Sequence, residues 1–194
     1  LLPDLHADQL ASYSYLLGMY LGDGYIGRMP RTYRLHVSLP RRQEHVIRRA
    51  VEAISLLRPG RPVGLRRRGE VVIVNAYSNA WPALFPQHGA GRKHLRPIVL
   101  EAWQRRVVEQ HSIEFVRGCI ESDGCRHRRL VAGRNYPAYS FKNHSEDILR
   151  LFMWACECFS VRPRRASRVV VSIARRADVA RLDSLLSGSR ADNI

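Results

Sequence analysis

The sequence of 194 residues predicts an α/β (α+β) protein built as a pseudo-symmetric duplication of one αββαββα unit, with an antiparallel sheet in each copy. Three observations predict it. The segment Leu16-Leu17-Gly18-Met19-Tyr20-Leu21-Gly22-Asp23-Gly24 lies over Val116-Arg117-Gly118-Cys119-Ile120-Glu121-Ser122-Asp123-Gly124, with Gly, Asp and Gly coincident at an offset of 100. The match continues downstream. Val46, Ile47, Ala50, Val51, Ile54 and Leu57 recur as Ile148, Leu149, Phe152, Met153, Cys156 and Phe159 at an offset of 102, and Val71-Val72-Ile73 as Val169-Val170-Val171 at an offset of 98. Such self-similarity marks a repeated unit, and the drift of offset falls where loops change length. Finally, the hydrophobic period alternates between 3.6 and 2 in the same order in both halves.

Each half begins with a helix ending on the acidic motif, over 8–22 and 112–122. Two strands follow, near 25–29 and 33–39 and again near 125–131 and 137–142. In the first half Leu35, Val37 and Leu39 alternate with Arg34, His36 and Ser38, the pattern of a strand with one buried face. Helices over 43–56 and 145–158 carry apolar residues at i, i+3, i+4 and i+7. Ser145 followed by Glu146 and Asp147 reads as a helix N-terminus. A second pair of strands surrounds 61–76 and 161–174, the first pair turning near Arg68-Gly69, and short helices begin near Ser78 and Arg176. Pro86, Gly89, Gly91 and Pro97 make the connection irregular, and Ile98–Gln110 reads as a helix. The expected division is an N-terminal subdomain at 1–88, a linker at 89–110 and a C-terminal subdomain at 111–194.

A net charge of +15 points to a polyanionic partner, nucleic acid before others; the competing reading is a merely basic protein. Lys93 and Lys142 are the only lysines among 32 basic residues. No apolar run approaches the ~20 residues that span a bilayer, and no signal-peptide pattern is visible. Cys119, Cys125, Cys156 and Cys158 contain no CxxC pair, which disfavours a zinc site built from Cys119, Cys125 and His127 and favours small apolar roles in a reduced, cytoplasmic compartment.

Gly18-x-x-x-Gly22 and Gly118-x-x-x-Ser122 place small residues one turn apart, so that two helices can approach closely and bring their C-terminal ends together. Asp23 and Asp123 sit at those ends, each before a Gly able to turn the chain out of the helix with φ > 0. Carboxylates are unfavourable at the negative end of a helix dipole, and two side by side either take up a proton or recruit a cation. Mg²⁺ suits one or two carboxylates together with phosphate oxygens and water, the arrangement for phosphodiester hydrolysis.

With these motifs the chain resembles the LAGLIDADG homing endonucleases, and two motifs in one chain resemble the family's single-chain, monomeric members. It is especially similar to compact bacterial members with a segment like Gly89-Ala90-Gly91-Arg92-Lys93-His94 and a pair like Trp103-Gln104. The resemblance implies a site-specific endonuclease that cuts double-stranded DNA across the minor groove. It implies two antiparallel DNA-binding sheets forming a saddle over the major groove of a long asymmetric target. It implies Mg²⁺ held by Asp23 and Asp123, with the carbonyls of Gly22 and Ser122 as further ligands and Mn²⁺ or Ca²⁺ substituting in binding. It also implies basic residues ordering water around the scissile phosphates. Lys93 fits that place in the first half; the corresponding point of the second offers only Arg190, a weak match. Lys142 ends a strand on the same side as Ser140, and its repeat partner by sequence is Pro40, so the two centres are expected to be unequal. The sequence departs from the family pattern at Leu21, where the second copy has Glu121, and at Arg117, expected at the edge of the helix interface.

Candidate DNA contacts are the arginines on and between strands: Arg28, Arg31 and Arg34 with His36, then Arg66, Arg67 and Arg68, then Arg126, Arg128, Arg129 and Arg134 with Ser140, then Arg164, Arg165 and Arg168. Arginine both reads guanine bidentately and clamps phosphate. Arg48, Arg49, Arg105 and Arg106 fall on helices and read as solvated faces. Two other functions share the pattern: a catalytically silent DNA-binding regulator, which would commonly have lost one of the two aspartates, and an RNA maturase.

Overall fold

The computed structural model describes residues 5–188. Helix α1 (Leu10–Asp23) runs directly into β1 (Gly24–Arg28), followed by β2 (Tyr33–Pro40), α2 (Glu44–Leu57), β3 (Val63–Arg68), β4 (Val71–Tyr77) and the short α3 (Trp81–Leu84). The connection carries α4 (Ala102–Gln110). The second half repeats the order with α5 (Ser112–Asp123), β5 (Gly124–Val131), β6 (Arg134–Lys142), α6 (Glu146–Cys158), β7 (Arg164–Ser167), β8 (Val170–Ile173) and α7 (Arg176–Gly188). The strands form two four-stranded antiparallel sheets, β1-β2-β4-β3 and β5-β6-β8-β7. Among the described residues no helix is long and apolar enough to cross a membrane.

The centre of the molecule is the α1–α5 pair. Every residue from Tyr13 to Leu21 is buried, which an amphipathic surface helix would not allow. The glycines set the approach. A Cβ on Gly18 would lie 2.2 Å from the Phe115 carbonyl oxygen, and one on Gly118 would lie 2.1 Å from that of Tyr15. Neighbours pair in parallel register, Gly18 against Cys119 and Gly118 against Met19, so the two C-termini end side by side. Cross-links join the halves: Ser14 Oγ donates to the His111 carbonyl at 2.8 Å, and Tyr15 Oη donates to Glu121 at 2.8 Å. Arg49 also binds Glu121, so this arginine is an inter-half contact rather than a solvated one. Arg105 likewise lies 4.4 Å over the Trp154 ring.

Three local expectations are corrected. Gly24 and Gly124 do not take positive φ; at −86° and −112° they are already extended strand. Their role is clearance: a Cβ would sit 2.5 Å from Tyr20 Cα in the first half and 2.6 Å from Ile120 Cα in the second, so the chain enters the sheet with no intervening turn. The helix expected from Ile98 starts only at Ala102, because Glu101 and Gln104 form a reciprocal cap and residues 98–101 are consumed docking on the core. Gln104 is buried and tied to Gln87 (2.6 Å) and Tyr13 Oη (2.7 Å), which anchors the connection to the first half.

The third correction concerns register. Gly24 faces Val37, while Gly124 faces Phe141, four residues further along its hairpin. The residue after each is Ser38 or Lys142, so Lys142 corresponds in the sheet to Ser38 and not to Pro40. The longer second hairpin turns through Ala132 and Gly133, whose φ values of 47° and 76° fit a two-residue turn with both central residues left-handed. Cys119 and Cys156 are buried, their thiols pushed up by burial, while Cys125 and Cys158 are exposed.

Candidate functional site

Asp23 and Asp123 meet where α1 and α5 end. The position a Gly22 Cβ would take lies 3.2 Å from Asp123 Oδ2 and 2.2 Å from Ser122 Oγ, so only glycine lets the second carboxylate fold over the first helix end. Burial first, and then the Asp123 charge, raise the pKa of Asp23 to about 6 against the opposing Lys93 ammonium. Asp123 is also raised by burial, with an Asn143 hydrogen bond and the charges of Lys93 and His144 pulling it back. These are the protonation energetics of carboxylates crowded away from water.

Lys93 is drawn into this corner from the connection. Its Nζ donates to the carbonyls of Leu21 (3.0 Å) and Gly22 (2.8 Å), and also to Tyr20, closing the open end of α1. The ring of Tyr20 lies 4.9 Å from the ammonium. Burial lowers the Lys93 pKa to about 8 despite both aspartates. The Gly22 carbonyl therefore points into the charged corner, whereas Ser122 turns its hydroxyl back to the Gly118 (2.9 Å) and Cys119 (3.0 Å) carbonyls. The donor set is two carboxylates and an outward carbonyl, all hard oxygens, which fits a cation that keeps water and phosphate as its other ligands. Among the described residues no group of three His, Cys, Asp or Glu side chains forms a complete metal cage.

The surroundings are one-sided. A cavity of about 310 Å³ is lined by Gly22, Lys93, His94, Asp123, Lys142, Asn143 and His144. Both lysines thus share one cavity with Asp123, while Lys93 is hydrogen-bonded to the end of α1 in the first half. Asn143 donates to Asp123 Oδ2 at 2.9 Å while its Oδ1 accepts from the Ser145 backbone, and the His94 and His144 rings lie 5.7 Å apart above them. Sequence reasoning did not select Asn143, His94 or His144. An Asn just before a helix cap reads as an ordinary turn residue, and only the fold shows what its amide reaches. No side-chain hydrogen bond to Asp23 is found among the described residues. Arg117 is buried, borders a cavity with Arg49 of the first half, and donates to the Leu186 carbonyl (2.8 Å), ending α7 much as Lys93 ends α1. Arg190 lies outside the described residues.

Register sorts the candidate contacts by face. In the first sheet Leu35, Val37, Val72 and Val74 face the helices, so Tyr25, Arg34, His36, Ser38, Ile73, Asn75 and Tyr77 share the open face with Arg66 and Arg68. In the second, Tyr139, Phe141 and Val171 face the helices, leaving His127, Arg129, Arg134, Ser140, Lys142, Arg164 and Ser172 on the open face. Arg28, Arg67, Arg126, Arg128 and Arg165 have the wrong parity and project to the helix side. Arg126 makes two 2.8 Å bonds to Asp183 on α7, and Arg165 binds Glu146 on α6. Arg31 and Arg168 occupy turns. Tyr25, Asn75 and His127, which sequence reasoning passed over for arginines, are on the open faces.

No protein-family model and no curated protein matches the sequence. Solved structures match the fold. The homing endonuclease I-DmoI in complex with DNA and Mn aligns with a TM-score of 0.62 at 15% identity, over 92% of this chain and 98% of that one. The complex of I-DmoI with DNA and Ca gives 0.59 at 15% identity, over 92% and 91%. The N-terminal LAGLIDADG domain of DUF199/WhiA gives 0.58 at 16% identity, over 95% and 86%.

Proposed function

We propose that this chain, whose fold is the LAGLIDADG fold, is a site-specific double-stranded DNA endonuclease that uses divalent metal ions. The observation that carries the reading is the pair of half-buried carboxylates, Asp23 and Asp123, crowded at the joined ends of α1 and α5 beside the Gly22 carbonyl. A fold needs no such pair for stability, since raised carboxylate pKa values cost free energy at neutral pH. Mg²⁺ bound there would supply an activated water and neutralise charge on the phosphate, with Mn²⁺ or Ca²⁺ as substitutes in binding.

The chain's own residues would do the rest. Asp23 and Asp123 hold the cation, with Gly22 and Ser122 offering backbone carbonyls. Asn143 fixes the rotamer of Asp123 through its 2.9 Å bond. Lys93 and Lys142 bring positive charge to the cavity that would receive a phosphate. The open sheet faces, with Arg34, His36, Arg66, Arg68, Arg129, Arg134, Ser140 and Arg164, would lie in the major groove, and the net charge of +15 would supply salt-sensitive phosphate attraction. The units at 1–88 and 111–194 would each take one half of the target, as a monomer acting in the cytoplasm.

The likeness to the WhiA domain, nearly as strong as that to I-DmoI, favours a second reading: a regulator that binds DNA on this scaffold without cutting it. One experiment separates them. The protein is incubated in Mg²⁺ with a plasmid library of its genomic neighbourhood. A discrete double-strand break is expected. Tight, sequence-specific binding with no cleavage at any bound site would establish the regulator instead.

A further inference from the structure

The two open sheet faces carry different chemistry, and that difference specifies the target. We infer that the first sheet reads a half-site bearing A·T pairs and the second a half-site rich in G·C pairs, an inference that rests on the DNA-binding part of the reading above.

On the first sheet the middle of the face is amide, aromatic and apolar. Tyr25 is 48% exposed and packs against His36 in a tilted pair with ring centroids 5.2 Å apart. Arg34, the one arginine on a central strand, is turned onto His36 Nδ1 at 3.3 Å. Asn75 donates one N–H to the Gly64 carbonyl at 3.0 Å, and Gly64 provides the room, since a Cβ there would lie 3.2 Å from the amide nitrogen. The amide plane is thereby fixed, with its second N–H and Oδ1 left for a ligand. That donor–acceptor pair matches N7 and N6 of adenine, and the neighbouring Ile73 offers apolar contact to a thymine methyl. Arg66 and Arg68 lie on the outermost strand β3, at the margin of this face, whereas Arg129 and Arg164, also on outermost strands, wall a cavity over the middle of theirs.

On the second sheet the middle of the face is a floor of small residues. Ser140 lies opposite Ser172 on one side and Cys125 on the other, and Ala138 lies opposite His127. Arginines rise around that floor. A cavity of about 530 Å³ is walled by His127, Arg129, Arg162, Arg164 and Arg175 above Ser140 and Ser172. Among the described residues Arg129, Arg162, Arg164 and Arg175 take no ion pair, unlike Arg165, which also borders this cavity but is held to Glu146, and Arg126 on the opposite face, which is held to Asp183. Unpaired guanidinium forks over an open floor have the reach and the donor geometry for guanine O6 and N7, the commonest specific contact in the major groove. His127 adds a ring nitrogen of either polarity.

The test is selection of bound duplexes from a randomised pool in Ca²⁺, followed by sequencing. A long motif is expected, with one half dominated by G·C pairs and the other containing A·T positions. Arg129→Ala and Arg164→Ala should each reduce discrimination about five- to a hundredfold at base pairs within the G·C half. Asn75→Ala should do so at one A·T position in the other half. These side chains are exposed or half-buried, so unchanged melting temperatures will confirm that the variants fold. An arginine variant that flattens an A·T half, or two halves of equal composition, would overturn this inference while leaving DNA recognition intact. A pool with no enriched motif would overturn DNA recognition and this inference together.

Discussion

Asp23 and Asp123 occupy the same place in two copies of one unit, yet they live differently. Asp123 has an amide partner in Asn143, and two lysines and two histidines open onto its cavity. Asp23 has burial, a like charge and the Lys93 ammonium. A duplicated scaffold has to keep the contacts on which its packing depends. The positions fixed by packing, Gly18, Gly118, Gly24 and Gly124, do the same job in both halves. The residues beyond the helix ends are set by hairpin and loop length, and a hairpin four residues longer in the second half replaces Ser38 by Lys142 and brings Asn143 to the carboxylate.

The largest effect should come from breaking what the halves share. Gly118→Val places carbon within 2.1 Å of the Tyr15 carbonyl and 2.8 Å of the Met19 nitrogen, both backbone. The helices must part, and a loss of ~3 kcal/mol or more is expected from overpacking, read as a fall in the denaturation midpoint. A variant of wild-type stability would show that the two helices are not in close contact.

A smaller and opposite effect is expected at Asp23. Its folded pKa of about 6 stands above its ordinary 3.8, so the folded chain holds the proton more tightly. That contribution is complete below pH ~4 and is lost as pH rises through about 6, leaving a penalty of at most roughly 3 kcal/mol at neutral pH. Asp23→Asn in EDTA should therefore raise the melting temperature by several degrees at pH 7.5, at ~2–4 °C per kcal/mol, with the gain vanishing near pH 4. Asp183 runs the other way. Hydrogen bonds from Arg126 and Tyr139 hold its pKa down, so its contribution is present at neutral pH and lost on acidification. If Asp23→Asn melts lower at pH 7.5, the carboxylate is not under electrostatic strain.

Asn143→Ala should have the smallest effect, confined to the Asp123 side. Losing the hydrogen bond that lowers the Asp123 pKa should shift the acid limb of cleavage upward, since a higher pH is then needed to ionise the carboxylate. The change should slow one strand, by about tenfold, the scale of one charged hydrogen bond, and should accumulate nicked DNA on a supercoiled substrate. Equal slowing of both strands would mean that the two carboxylates act as one indivisible site.

Much of this was legible in the sequence because packing periodicity is local. The repeat, the two motif helices, the four strands of each half and the joined aspartates follow from spacing and from small residues one turn apart. The faces of Arg28, Arg67, Arg126, Arg128 and Arg165 did not, because parity depends on the register of a strand with its partner, and one residue reverses it. The helix start at Ala102 was hidden because Ile98 and Leu100 are apolar for docking, so the apolar run extends ahead of the Glu101 cap. Asn143 and the His94–His144 pair come from segments far apart in sequence whose meeting is purely tertiary.

The most direct measurement compares Asp123→Asn with the wild-type chain on one recovered target, scoring metal-dependent cleavage and the Kd in Ca²⁺ side by side. Double-strand cleavage should fall at least about a hundredfold, the scale of losing a charge-stabilising group at a reacting phosphate, with Kd changed by no more than about twofold. Cleavage that persists, or affinity that collapses along with it, would contradict the claim that the paired aspartates form the catalytic metal site.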